Sequence, residues 1–300
     1  MNKKRVIVIL FPILAAMIRG VSLVSQSISA GYIGAFTFNA SRAFVASLVL
    51  ALMIFIGSKK SAKPIKTDPK VLLIGGTCCG GMLFIATNLQ QIGMAATSAG
   101  KAGFITVLYI VLVPIMGVFL KKKVSLALWI SMPFAVLGIY LLCIKDTFTI
   151  TSSDKYIILC AVAFAIHILV LDQFSAQTDP FELNCAQFLV LATLSAITAL
   201  IFEHPTWSQI RPCLGQILYV GIISSALAYN LQIIAQKNGN PAAVSLLLSL
   251  ESAFGVISGA VFLAEKLTVR EYIGCFVMLI AVLLAQVPSR LFAKKKRLVF

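Results

Sequence analysis

Apolar residues run through this chain in blocks of about twenty, and short polar breaks separate the blocks. Ten blocks stand at 6–26, 35–56, 71–94, 99–120, 126–145, 155–173, 182–202, 212–236, 243–264 and 269–288. About 20 apolar residues in a helix cross the ~30 Å hydrocarbon of a bilayer. Lipid offers the backbone no hydrogen-bond partners, so blocks of this kind have to be helical. The pattern predicts an all-α membrane protein with ten transmembrane helices. The longest polar break, GSKKSAKPIKTDPK at 57–70, reads as a loop.

Composition agrees. The 300 residues are 60% hydrophobic and 12% charged, with a mean hydropathy of +0.99. A soluble domain carries about 25% charged residues. The net charge of +15 suggests a polyanionic partner until its placement is followed. With the N-terminus in the cytoplasm, 17 basic residues fall on cytoplasmic segments and 5 on external loops. Such asymmetry sets orientation in the membrane. The expected placement is therefore the cytoplasmic (plasma) membrane, multi-pass, with both termini cytoplasmic and no nucleic-acid partner.

The start, NKKR before VIVILFPILAAMI, imitates a signal peptide, but the apolar block continues through Arg19, so it reads as a retained first span. Seven cysteines lie scattered without C-x-x-C spacing, and the two histidines, His167 and His204, are far apart. Small buried hydrophobes account for those cysteines. No metal site and no cofactor is expected.

The two halves repeat each other. GAFTFNASRAFVASLVLAL (34–52) matches DPFELNCAQFLVLATLSAI (179–197), pairing Asn39 with Asn184 and Arg42 with Gln187. TNLQQIG (87–93) matches YNLQIIA (229–235), and FLKKKVS (119–125) matches FLAEKLT (262–268). The division is 1–148 and 149–300, five spans each. An odd number of spans inserts the second repeat upside down, as in many secondary transporters. On that arrangement Asn88, Gln90 and Gln91 lie at the external end of span 3. Tyr229, Asn230, Gln232 and Gln236 lie towards the cytoplasmic end of span 8. Tyr229, Gln232 and Gln236 share one helical face. The two amide patches are candidate gates at opposite mouths of one pathway; the other reading is hydrogen-bonded glue between helices.

These features resemble the EamA-type transporters of the drug/metabolite transporter superfamily, along nearly the whole chain. The resemblance is carried by the repeat, by TSAGKAGFITVLYIVLVPIMGVFLKKKVS (97–125) and by LESAFGVISGAVFLAEKLT (250–268). Glu251 and Glu265 stand at the family's two acidic positions and Arg42 at its span-2 arginine. Arg19-Gly20 replaces the usual Trp-Gly, Ser252 a proline, and Lys122 stands where the first half often has an acid. The resemblance implies ten helices, a central cavity lined mainly by spans 1, 3, 4, 6, 8 and 9, and small-metabolite transport, often efflux.

Ionisable groups deep in a membrane helix normally face a cavity or a partner. Arg19, Tyr109, His167 and Glu251 count to mid-depth, and Ser22 is the repeat partner of His167. These five are the candidate substrate-binding residues. Glu251 suits a proton or a substrate amine, Arg19 a carboxylate, and His167 a proton relay. The alternative is that Arg19 and Glu251 only neutralise each other. Arg42 and Lys101 count to the outer ends of their spans, where long side chains snorkel; Lys101 is also a pathway candidate. Asp172, at the inner end of span 6, is expected to be solvated. Pro114 and Gly117 offer a bend in span 4. Gly76-x-x-x-Gly80 and Gly255-x-x-x-Gly259 invite close helix packing ahead of dimerisation; monomer and homodimer both stay open.

Ser98-x-x-Lys101 matches a serine acyl-enzyme motif but lacks its companions and sits at a span boundary. No phosphate-binding loop or metalloprotease motif occurs. The reading is a non-enzymatic, secondary transporter of small metabolites, amino-acid-like or amine-bearing, most simply an exporter working by alternating access. Its partners are a small-molecule substrate, protons as the candidate coupling ion, and membrane lipid. The alternatives are an importer of another metabolite (nucleoside, vitamin or drug-like cation) and a membrane enzyme or sensor.

Overall fold

Three helices begin where an acid or amide precedes proline. Asp68, Asp179 and Asn240 each accept a hydrogen bond from the backbone N–H two residues on, at 2.9 Å, with Pro69, Pro180 and Pro241 at the first helical position. Proline has no N–H to leave unsatisfied there and holds the right φ, while the cap fills an orphan donor. A fourth helix starts in a capping box, Thr268 with Glu271.

The protein, described by a computed structural model over residues 3–58, 67–95, 99–144, 154–262 and 267–286, has no strand among those residues. The spans are α1 (Lys3–Ser29), α2 (Ala35–Ser58), α3 (Pro69–Met94) and α4 (Ala99–Val107 with Tyr109–Phe119). They continue as α5 (Leu126–Cys143), α6 (Asp154–Ser175), α7 (Pro180–Phe202), α8 (Trp207–Asn238), α9 (Pro241–Leu248 with Glu251–Phe262) and α10 (Val269–Ala285). Among the described residues the first nine are long and apolar enough to cross a membrane, and α10 is the tenth apolar helix. Glu265 and Ser98 lie outside the described residues.

The exterior is apolar, and polar side chains are buried among the apolar residues of the interior. Phe44 and Leu48 on α2 are 61% and 62% exposed, whereas Asn39, Asn184 and Gln187 are 0% exposed. That arrangement suits a lipid solvent, where helix association relies on small residues and interhelical hydrogen bonds. Gly76 and Gly80 press against α7: an added Cβ would lie 2.6 Å from Ala186 Cβ and from Gln187 O, respectively. Gly20 lies against Phe254 and Gly255 of α9 in the same way. Gly76, Gly80 and Gly255 thus serve packing within the chain. Glu203, at the end of α7, caps α2 by accepting from Phe36 N (2.9 Å), Thr37 N (2.7 Å) and Thr37 Oγ1 (2.6 Å).

Three spans differ from the sequence expectation. Helix α8 begins at Trp207, five residues ahead of the apolar block 212–236, because Thr206 and Gln209 form a capping box. Its segment Tyr219–Ala228 winds in wide π turns that end with Tyr229 N–H bonded to Ser224 O. Spans 4 and 9, read as single helices, are each interrupted by one tight turn, through which Leu108 and Ser249 keep right-handed helical dihedrals. In α4 the break is at Leu108, where Leu108 N–H turns back to Ile105 O (3.2 Å). It lies six residues before Pro114, whose ring crowds the carbonyl of Ile110. In α9 it is at Ser249–Leu250, where the Ser249 hydroxyl donates to Leu246 O (2.6 Å) and Leu250 N–H to Leu247 O (3.3 Å). Serine hydroxyls compete for helix carbonyls in this way.

Candidate functional site

Tyr109 and Glu251 are the first residues after the two breaks, and they meet: the Tyr109 hydroxyl donates to Glu251 Oε1 at 3.4 Å. The other oxygen of Glu251 pairs with Arg19 Nε at 2.9 Å. Arg19 also donates to Gln232 Oε1 at 3.1 Å and lies 5.1 Å above the Tyr229 ring. One buried carboxylate, one guanidinium, an amide and two phenols from α1, α4, α8 and α9 thus form a single cluster.

A narrow cleft, partly open to the exterior, extends from this cluster; its free volume of about 20 Å³ has room for roughly one water molecule in this conformation. Arg19, Ser22, Arg42, Gln90, Tyr229 and Glu251 are among the residues that line it. Ser22 donates to Arg19 O (2.8 Å) and accepts from Ser224 (3.3 Å), which the π turns of α8 bring to the cleft wall. Gln26 and Ser224, not singled out from the sequence, also line it.

The remaining candidates divide. His167 is 1% exposed, shares a hydrogen bond with Gln187 Oε1 (3.0 Å) and meets the Tyr229 ring edge-on, behind the cleft wall. Asn88 bonds to two neighbouring helices: it accepts from Asn39 Nδ2 (3.0 Å) on α2 and donates to Ser195 (3.1 Å) on α7. Gln90 donates weakly to Thr106 at 3.5 Å. Gln91 and Gln236 behave alike at opposite ends of the bundle. Gln91 donates to Gln26 O (3.0 Å) on α1, and Gln236 to Ile168 O (3.3 Å) on α6. Each keeps a buried amide oxygen without a partner, as does Asn230.

Three charged residues are placed differently from the expectation. Arg42 does not snorkel. It is 3% exposed and held inward by Asn39 Oδ1 (2.6 Å) and Ser225 Oγ (3.2 Å). Lys101 pairs with the buried Asp154 at 2.5 Å, which fastens the start of α4 to the start of α6. Asp172 is paired with Lys122, so α6 is fastened to α4 at its other end too.

No group of three or more metal-ligating side chains occurs among the described residues. All seven cysteines are free thiols.

The family model described as EamA-like transporter family matches residues 6–144 and again 151–286. An uncharacterized transporter of Archaeoglobus fulgidus is 31% identical over 211 residues, 67% of this chain and 65% of that relative, just under two thirds of its length. A solved crystal structure superimposes with a TM-score of 0.78 over 97% of this chain and 98% of its own. At 16% identity that likeness concerns the fold alone.

Proposed function

The chain belongs to the EamA-like transporter family and is a multi-pass membrane protein; from that premise we propose that it is a secondary transporter of small, amino-acid-like metabolites, working by alternating access at the Arg19–Glu251 cleft. The observation that carries this reading is the pair of interrupted helices, α4 and α9. Each is the fourth span of its family-matched half, and Tyr109 and Glu251 follow directly on the breaks. Interrupted helices in corresponding positions of two repeats are the usual sign of a transport site near the bilayer midplane.

The packing supports the inverted repeat. Helix α2 packs on its counterpart α7 and α5 on α10, while the α1–α8 contact has its mate in α6–α3. With five spans per repeat, a twofold axis in the membrane plane would exchange the two ends of the cleft. The cycle needs no nucleotide on this reading; solute or proton gradients drive it. The charge asymmetry supports a placement with both termini inside, and the resemblance to transporters that often act in efflux supports export.

Counterflow in proteoliposomes tests the reading. Internal unlabelled amino acids are expected to accelerate entry of labelled ones, saturably and above empty vesicles; no acceleration with any of the twenty would contradict it. Orientation is tested separately. Ser208 is exposed at the start of α8, and Ser208→Cys in a cysteine-free background should react with an impermeant thiol reagent from outside intact cells. Reaction only after permeabilisation would reverse the assigned topology.

A further inference from the structure

Two buried side-chain pairs share one build and differ by a single charge. On α2, Arg42 Nε donates to Asn39 Oδ1, three residues earlier, at 2.6 Å. On α7, Gln187 Nε2 donates to Asn184 Oδ1, again three residues earlier, at 2.7 Å. In each pair the asparagine amide reaches a backbone carbonyl of the next helix inward. Asn39 binds Thr87 O of α3 (3.2 Å), and Asn184 binds Ala226 O of α8 (3.1 Å). The repeat alignment pairs the same residues. A neutral glutamine therefore performs on α7 the architectural task that Arg42 performs on α2. The guanidinium charge is surplus to that task.

A surplus charge inside a membrane protein is costly unless something binds it. Arg42 takes part in no ion pair among the described residues; apart from its hydrogen bonds, its guanidinium faces the Phe38 ring at 5.9 Å, near the outer limit of a cation–π contact. Its two hydrogen bonds occupy two of the five guanidinium donors, and the side chain lines the cleft. The charged residues lining the cleft are Arg19, Arg42 and Glu251. Arg19 and Glu251 cancel each other, which leaves one positive charge facing the space. Glu251 is already held by Arg19 and Tyr109, so a substrate amine finds no free carboxylate there. Phe164 and Tyr229 supply apolar wall beside the cation.

We propose that Arg42 anchors an acidic group of the transported solute, a carboxylate, phosphate monoester or sulfonate, so that the cleft takes small organic anions and acid-bearing zwitterions in preference to simple amines. This rests on reading the cleft as the transport site. An anionic lipid headgroup presents the same chemistry, so the test separates it from a free solute.

Purified protein in neutral detergent is titrated with four compounds on one branched skeleton: 4-methylpentanoate, isobutyl phosphate, leucine and leucinamide. Dihexanoyl-phosphatidylglycerol is the lipid arm. The acids and leucine are expected to bind, and leucinamide to bind far more weakly. Arg42→Gln, which copies the α7 pair, should weaken the acids by roughly 10- to 100-fold, the worth of one charged hydrogen-bonding partner. Arg42→Lys should weaken them less. Acid binding unchanged in Arg42→Gln would overturn the proposal. So would leucinamide binding as tightly as leucine, absence of acid binding, or binding of the phosphatidylglycerol alone. If Arg42→Gln fails to fold, the acid-against-amide comparison on the unaltered protein decides. Counterflow of leucinamide without leucine would remove the anion site and leave the transporter reading intact. Arg42-dependent acid binding without counterflow of any compound would do the reverse.

Discussion

Replacing Glu251 by glutamine is expected to abolish transport and to destabilise the protein together. Arg19 would keep Gln232 and the Tyr229 ring but lose the carboxylate 2.9 Å from its Nε. A buried cation stripped of its partner typically costs about 3–5 kcal/mol. Arg19→Gln/Glu251→Gln removes both charges, so its thermal stability should return to near that of the unaltered protein. Transport should not return, because on this account the pair also forms the switch. Glu251 starts the second piece of α9, and Tyr109, its hydrogen-bond donor, starts the second piece of α4. Any rocking of those pieces must break or remake the cluster. Parallel measurement of yield, melting and counterflow in the two single variants and the double variant checks this. A double variant that transports at the original rate would reduce the pair to structural neutralisation, the alternative already visible in the sequence.

Much of this arrangement was legible in the residue pattern, for identifiable reasons. Ten apolar blocks, separated by short polar breaks, define the helices because lipid allows little else. Arg19 and Glu251 stood out because a charge at mid-depth demands a partner. The interruptions at Leu108 and Ser249–Leu250 were not legible: an apolar block reads the same whether its helix is broken or whole. The π turns of 219–228 are invisible for the same reason. Arg42 was misplaced because distance from a span end says nothing about which way a side chain turns. Its alignment with Gln187 held the clue, since a position served by glutamine in one half is an interior position in the other. Asp172 was read as solvated because its partner, Lys122, is distant in sequence. Asn88 and Gln91 look equivalent within TNLQQIG, yet Asn88 bonds to α2 and α7 while Gln91 donates to α1.

That last difference leads to the second large effect expected. Gln91 and Gln236, at opposite ends of the bundle, each donate to a backbone carbonyl, on α1 and α6 respectively, and each is buried to within 2% of complete; in the proposed cycle these two contacts are the seals. Single amide-to-carbonyl bonds are worth only about 0.5–1.5 kcal/mol net, so either seal can open without unfolding the bundle. A substrate gradient supplies comparable energy, about 1.4 kcal/mol for each tenfold difference in concentration. The central claim is that the seals open in alternation around the Arg19–Glu251 cleft. The most direct measurement is the rate at which Gln91→Cys and Gln236→Cys, each alone in a cysteine-free protein in oriented vesicles, react with a small thiol reagent. The gradient of a transported solute is imposed first in one direction and then in the other. Alternating access predicts that the two rates change in opposite directions and exchange their order when the gradient is reversed. Rates that rise and fall together, or that ignore the gradient, would contradict it.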